Sequence, residues 1–178
     1  MLPEQFCVRM KEMLGEEYAA FYASYDLPKY QALRINPLKT ERDTFLLQAP
    51  FSLNRVPWTT NGYYYSGNDQ PGRHPYHEAG VYYIQEPSAM APAEYLMAEP
   101  GERILDLCAA PGGKSSQIAC SMQGEGLIVC NEIHPARAKI LSENIERMGV
   151  CNALVTNETP QKLSDNFREY FDRILVDA

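Results

Sequence analysis

Several common signatures are missing from this sequence, and each absence narrows what the chain can do. No apolar run approaches the ~20 residues that cross a bilayer as a helix. The N-terminus has no basic stretch followed by an apolar one, so a cytoplasmic chain without an anchor or leader is expected. The five cysteines, Cys7, Cys108, Cys120, Cys130 and Cys151, form no C-x-x-C pair, which points away from a zinc knuckle or a dithiol motif and toward reduced thiols. His74 and His77 have no third metal ligand in evident reach, and read as surface histidines. Basic charge is scarce: residues 1–100 carry 8 basic and 12 acidic groups, and residues 101–178 carry 8 and 11. Polyanion binders show a basic excess. Composition therefore argues mildly against nucleic acid unless a local basic patch exists. Both phosphate loops are absent as well. G-x-G-x-x-G does not occur, and a Walker A loop ending in Gly113-Lys114-Ser115 needs glycine where Cys108 stands.

What is present reads as an α/β protein with enough apolar content, 45%, for a packed core. The most informative stretch is 103–115, RILDLCAAPGGKS. Residues 103–107 are apolar with one interior charge, the pattern of a strand buried on both faces. Ala109, Ala110, Pro111, Gly112 and Gly113 then remove side-chain bulk, and glycine permits positive φ and close backbone approach to a ligand. Residues 114–119 read as the first turns of a helix. Strand, glycine turn and helix is how an α/β sheet builds a binding site, with free N–H groups facing the crevice.

Cys108-Ala109-Ala110-Pro111-Gly112-Gly113-Lys114 resembles, at every position, the cofactor loop of the Nop/Sun family of RNA cytosine-C5 methyltransferases. The resemblance implies that these seven residues wrap the methionine end of S-adenosyl-L-methionine. It also implies a fold: the N-terminal half of a Rossmann-like class I methyltransferase sheet, with parallel strands in the order 3-2-1-4, preceded by a small α+β module. The expected parts are an RNA-binding-like module over 1–80, a connecting strand and helix over 81–100, and the cofactor-binding domain over 101–178.

Residues 126–132 form a second buried strand ending in Glu132, 18 positions after Lys114. An acid at that tip is placed to accept both ribose hydroxyls of an adenosine, and the resemblance gives Glu132 that role. His134-Pro135-Ala136-Arg137 opens the next helix, and Arg137 joins the candidate cofactor contacts. Ile140, Leu141, Ile145 and Met148 form the helix's inner face, and Gly149 stops it. Residues 153–157 are the third strand, whose tip should lie beside the adenine. Asn157, Glu158 and Thr159 all remain open for that contact, Asn157 because an amide can bond an adenine edge. After a short helix over 160–170, residues 173–177 are the fourth strand. By resemblance Asp177 faces the methionine end of the cofactor and the target cytosine. Asp106 is expected to brace the loop.

In the N-terminal half, Phe6, Met10, Met13, Leu14, Tyr18 and Phe21 recur at helical spacing, so residues 3–24 read as one amphipathic helix with an aromatic core stripe. Residues 32–36 read as a strand stopped by Pro37, with Leu33 and Ile35 facing one way and Arg34 and Asn36 the other. The family has a similar Arg-x-Asn segment in a module that contacts RNA. Arg34 and Asn36 are thus RNA-contact candidates, against the alternative of a solvated strand face. Thr40 to Asp43 resembles a capping box. Trp58 and Tyr63-Tyr64-Tyr65 sit on short strands, with packing on a helix favoured over stacking on bases. Gln85-Glu86-Pro87-Ser88 is similar to a segment that precedes the family's cofactor domain.

Cytosine C5 becomes nucleophilic only after a thiolate adds to C6, and a base must then remove the C5 proton. The family continues its fourth strand Asp-Ala-Pro-Cys; here Asp177-Ala178 ends the sequence, and none of the five cysteines matches the nucleophile's place. The expectation is a cofactor-binding half, with little or no activity of its own, of an enzyme that methylates RNA. Ribosomal RNA is the family's commonest bacterial substrate and transfer RNA the alternative. An open sheet edge calls for the remainder of the domain or an oligomeric partner. The competing reading is a non-catalytic RNA-binding or assembly module with a vestigial cofactor pocket.

Overall fold

The computed structural model describes residues 2–178, which fall into two compact units divided between Tyr30 and Gln31. The first unit is helical. Helix α1 (Glu4–Leu14) ends at Gly15, whose φ of 53° is cheap only for a residue without Cβ. A single 3-10 turn (Gly15–Glu17) leads into α2 (Tyr18–Ser24). The helix expected over 3–24 is therefore two helices, broken at its one glycine. Neither buries a residue. The aromatic stripe forms a ring cluster instead of a core, with Phe6, Phe21 and Tyr25 at centroid separations of 6.2, 6.5 and 5.4 Å.

The second unit begins with β1 (Ala32–Ile35), α3 (Arg42–Gln48), β2 (Leu53–Arg55), β3 (Gly62–Tyr65), the short α4 (Pro75–Glu78) and β4 (Tyr82–Ile84). Their strands form an antiparallel sheet in the order β2-β3-β1-β4. Leu33, Ile35, Phe45, Tyr63 and Tyr82 pack together as its core. The capping box does not form: Glu41 is the N-cap and makes no side-chain cap bond, Asp43 pairs with Arg42 at 3.1 Å, and Thr40 Oγ1 donates to Glu41 O. Val56, Pro57 and Trp58 make the turn between β2 and β3 rather than a strand, since Pro57 has no N–H for a ladder. Trp58 Nε1 donates to Pro87 O at 3.0 Å.

The chain continues through α5 (Ala91–Leu96), β5 (Arg103–Asp106), α6 (Gly113–Met122), β6 (Leu127–Asn131), α7 (Pro135–Arg147), β7 (Ala153–Thr156), α8 (Pro160–Asn166) and β8 (Arg173–Leu175). These strands pair in parallel in the order β7-β6-β5-β8. Counted from β5 the row reads third, second, first, fourth. Whole-chain numbering departs from 3-2-1-4 because four strands of a separate, antiparallel sheet come first. Alternation sorts the side chains to two faces. Ile104, Ile128 and Cys130 pack with Ile118, Met122, Leu141 and Ile145, while Leu105 and Val129 meet Leu163 of α8 on the other side. The buried face of α7 is Ala138, Leu141 and Ile145, at spacings of three and four; Ile140, expected there, is 48% exposed. Among the described residues no helix is long and apolar enough to cross a membrane.

The two sheets meet tightly at Gly80, in the turn before β4. With φ of +68°, a Cβ there would lie 2.1 Å from Arg147 O at the end of α7. Only glycine satisfies both the conformation and the contact.

Candidate cofactor cleft

Parallel strands deliver all their C-terminal ends to one side, where open α/β sheets place ligands. Here the turns that leave β5, β6 and β8 and the end of β4 surround a cleft of about 510 Å³. The loop after β5 supplies one wall. Its two glycines have different tasks. Gly112, at φ +110°, does not line the cleft; a Cβ there would sit 3.2 Å from Leu141 Cδ1 and 3.4 Å from Asn144 Cβ, so its smallness serves packing on α7. Gly113 does line it, and a Cβ there would come within 3.2 Å of Tyr83 Cε1 on β4. The peptide between Ala110 and Pro111 is cis. Helix α7 holds the loop from outside: Arg137 Nη2 donates to Ala110 O at 3.0 Å and Asn144 Nδ2 to Pro111 O at 2.8 Å.

Asp106, buried at the end of β5, accepts a bond from Ser115 Oγ at 2.7 Å and so ties the start of α6 to the strand, as expected of a brace. Burial pushes its carboxyl pKa up, against the Ser115 bond and the Lys114 charge. Lys114 Nζ lies 2.7 Å from Asp177 Oδ2, and both residues face the cleft. Cys108, Ala109, Ala110 and Pro111 line it as well.

Glu132 sits at the tip of β6, 2% exposed, with a carboxylate that lines the cleft. One oxygen accepts the His134 N–H at 2.9 Å, and the other lies 3.3 Å from Arg137 Nη1. A carboxylate has about four acceptor sites, so capacity remains for ligand hydroxyls. The predicted loop, Glu132, Arg137 and Asp177 thus converge on one cleft, with Gly112 as backing.

The tip of β7 behaves differently. Asn157 donates through Nδ2 to Glu132 O at 2.6 Å, Glu158 pairs with Lys162 at 2.9 Å, and Thr159 Oγ1 accepts the Lys162 N–H as the cap of α8. None of the three lines the cleft, whereas Pro160 and Ile133 do. Asn131 also belongs to the site, without a motif to mark it in the sequence. Buried beside Glu132, its side chain bonds Leu107 O, Glu158 O, Glu158 N and Thr156 Oγ1, knitting three strand ends together at the cleft. Its only signal was an amide immediately before an acid at a strand end. The opposite wall, Tyr83, Gln85 and Glu86, comes from β4 and the two residues that follow it, and the similarity noted for residues 85–88 was its trace.

Arg34 and Asn36, the RNA-contact candidates, lie inside the protein and not on an open strand face. Both faces of β1 are covered, and the two residues are 2% and 0% exposed. Arg34 donates to Gln85 Oε1 at 3.1 Å, Gly113 O at 3.1 Å and Ser116 Oγ at 2.8 Å. Asn36 Nδ2 donates to Gly80 O and Met148 O, each at 2.8 Å. A buried polar side chain must be hydrogen-bonded, and here the partners lie both beside β4, at Gln85 and Gly80, and on the parallel sheet's helical side, at Gly113, Ser116 and Met148. Nearby Lys39 Nζ donates to Ala79 O at 2.9 Å and Arg147 O at 2.8 Å.

Known proteins resemble this chain in sequence and in fold. A family model for the N-terminal domain of 16S rRNA methyltransferase RsmF matches residues 2–87, and one for 16S rRNA methyltransferase RsmB/F matches residues 93–178. Ribosomal RNA small subunit methyltransferase F of Enterobacter sp. (strain 638) is 36% identical over 99% of this chain and 39% of its own length. The protein of that name from Escherichia coli O157:H7 is 35% identical over the same shares. The chain thus spans about 39% of the length of these curated relatives. A solved methyltransferase homolog from Pyrococcus horikoshii is 30% identical with a TM-score of 0.85, over 99% of this chain and 59% of that one. NSun6 from Pyrococcus horikoshii, solved with SFG, shares the fold at 20% identity and a TM-score of 0.84, over 99% of this chain and 70% of that one.

Proposed function

We propose that the chain, whose two halves match the models for the RsmF N-terminal domain and for 16S rRNA methyltransferase RsmB/F, is a member of that family and carries the S-adenosyl-L-methionine-binding half of an enzyme that methylates cytosine C5 in ribosomal RNA. The observation that carries this reading is the meeting, in one cleft, of the loop 108–114 with the buried Glu132 carboxylate on the adjacent strand. The residues suit the cofactor. Glu132 has free lone pairs for two ribose hydroxyls, with the Arg137 guanidinium 3.3 Å from one of its oxygens. Lys114 and Asp177 present one charge of each sign, complementary to the carboxylate and ammonium of a methionine end. Ile133 and Pro160 offer apolar walls for an adenine. When bound, S-adenosyl-L-methionine supplies an electrophilic methyl on a sulfonium; the chain's own residues bind and orient it.

The nucleophilic thiolate is a separate matter. Burial pushes the Cys130 thiol up to about 12 and raises that of Cys120, so both stay protonated near neutral pH. Cys108 belongs to the cofactor wall. We assign none of the five cysteines to cytosine addition, and we expect the chain by itself to bind cofactor without transferring methyl. The division into 1–80, 81–100 and 101–178 is proposed as functional rather than as a break in packing. The two family matches, 2–87 and 93–178, change over within its middle segment.

Calorimetry with S-adenosylhomocysteine and with ATP tests the reading. Binding of the homocysteine compound and not of ATP is expected. Binding of ATP alone overturns the assignment, and binding of neither favours the non-catalytic module with a vestigial pocket.

A further inference from the structure

Arg34 is buried at the centre of the antiparallel sheet, yet among the described residues no carboxylate lies within ion-pair distance of it; Glu94 acts on it only at longer range. Its Nε and Nη2 donate to neutral acceptors, and Nη1 lies 4.0 Å from Cys120 Sγ. Its Cζ stands 5.9 Å from the Tyr83 ring centroid. Burying an unpaired charge is costly, and a core role alone would be met at lower cost by an apolar side chain of similar size. Two of its three close acceptors line the cleft, while the third, Ser116 Oγ, lies behind it on α6. Gln85 lines the cleft on the β4 side, and Gly113 lines it on the loop side. A planar guanidinium with a rigid fork of donors can fix the separation of two acceptors, which a flexible ammonium cannot. Gln85 passes the constraint on, since its Nε2 donates to Ala89 O at 3.0 Å, and Ala89 also lines the cleft.

We propose that Arg34 is a positioning residue for the cofactor cleft: from behind the wall it holds Gly113 opposite Gln85, so that cofactor affinity depends on a side chain of the antiparallel sheet that never touches the cofactor. This rests on the cofactor assignment made above. Asn36 provides the control. It joins the same two sheets through Gly80 and Met148, at the far end of α7, away from the cleft lining.

The experiment compares Arg34→Met, Arg34→Lys and Asn36→Ala in the full chain, by calorimetry with S-adenosylhomocysteine and by hydrogen exchange without ligand. For Arg34→Met the expected rise in Kd is about tenfold, with faster exchange over residues 112–117. Arg34→Lys, which keeps one of the donors' targets, should fall between it and wild type. Asn36→Ala should lower the melting temperature and speed exchange over residues 145–150 while binding with wild-type affinity. Wild-type affinity in Arg34→Met, or an equal loss in Asn36→Ala, overturns the proposal. Should wild type itself not bind the probe, the cofactor assignment fails. The exchange comparison then decides the role of Arg34 on its own: unchanged protection over 112–117 in both Arg34 variants would remove it. Arg34→Lys supplies the same readout if Arg34→Met does not fold.

Discussion

The antiparallel and parallel sheets of the second unit each have four strands, and they place polar residues in opposite ways. The parallel strands are apolar through their interiors and become polar where they end, at Asp106, Asn131 and Glu132. The antiparallel sheet carries Arg34 in the middle of its central strand. Both sets are buried and hydrogen-bonded, so burial alone does not tell them apart. Position does. A polar group at a strand tip can open onto a cleft, as Asn131 and Glu132 do, or tie the tip to the next helix, as Asp106 does. One in mid-strand with both faces covered has only other protein elements to bond, and so joins layers.

The sharpest way to break this comparison is at the joint itself. Gly80→Ala would place a methyl 2.1 Å from Arg147 O at a positive φ. Overpacking and left-handed strain together should cost about 3 kcal/mol or more, read as a lower urea midpoint. A wild-type midpoint would mean that the sheets need not meet so closely. Next is the tip of β6. Glu132→Ala should weaken S-adenosylhomocysteine binding at least about tenfold, as expected for lost hydrogen bonds to a charged group. Unchanged affinity in calorimetry would remove Glu132 as the ribose acid.

A smaller effect separates a tip carboxylate from a joint by its pH dependence. The folded-state pKa of Asp106 is raised above its ordinary value of 3.8, first by burial. Its protonation therefore favours the fold, fully below 3.8, and that contribution is lost as pH rises through the shifted value. Relative to Asp106→Asn, wild type should be more stable at pH 4.5 than at pH 7.5, measured by urea midpoints at each pH; the opposite trend refutes it. The mildest probe leaves the fold untouched. At pH 8, Cys151, which is exposed, should react with a maleimide, while Cys130, fully buried with its thiol held near 12, stays protected until unfolding. Early labelling of Cys130 would show that the parallel sheet's core opens readily.

The loop, its strand and Glu132 were legible because they are local. Glycine, small residues and an acid at a fixed spacing describe one strand, one turn and the start of one helix. The N-terminal helix was misjudged at Gly15, where helical spacing continued across a residue that favours a turn. The β7 tip does not line the cleft because Asn157 bonds Glu132 O while Glu158 and Thr159 engage Lys162 at the start of α8, a competition that counting along the chain does not register.

The amino-acid order alone determined the parallel βα units, the small-residue loop 108–114 and the acid one strand over, since each is set by contacts among residues near in sequence. It also determined that Arg34 and Asn36 point away from Leu33 and Ile35, because side chains alternate along a strand. What lies on that side was decided only by tertiary packing. Alternation specifies a direction, and whether water, RNA or a second layer of protein waits there depends on residues 44 to 112 positions further along the chain, at Gly80, Gly113, Ser116 and Met148.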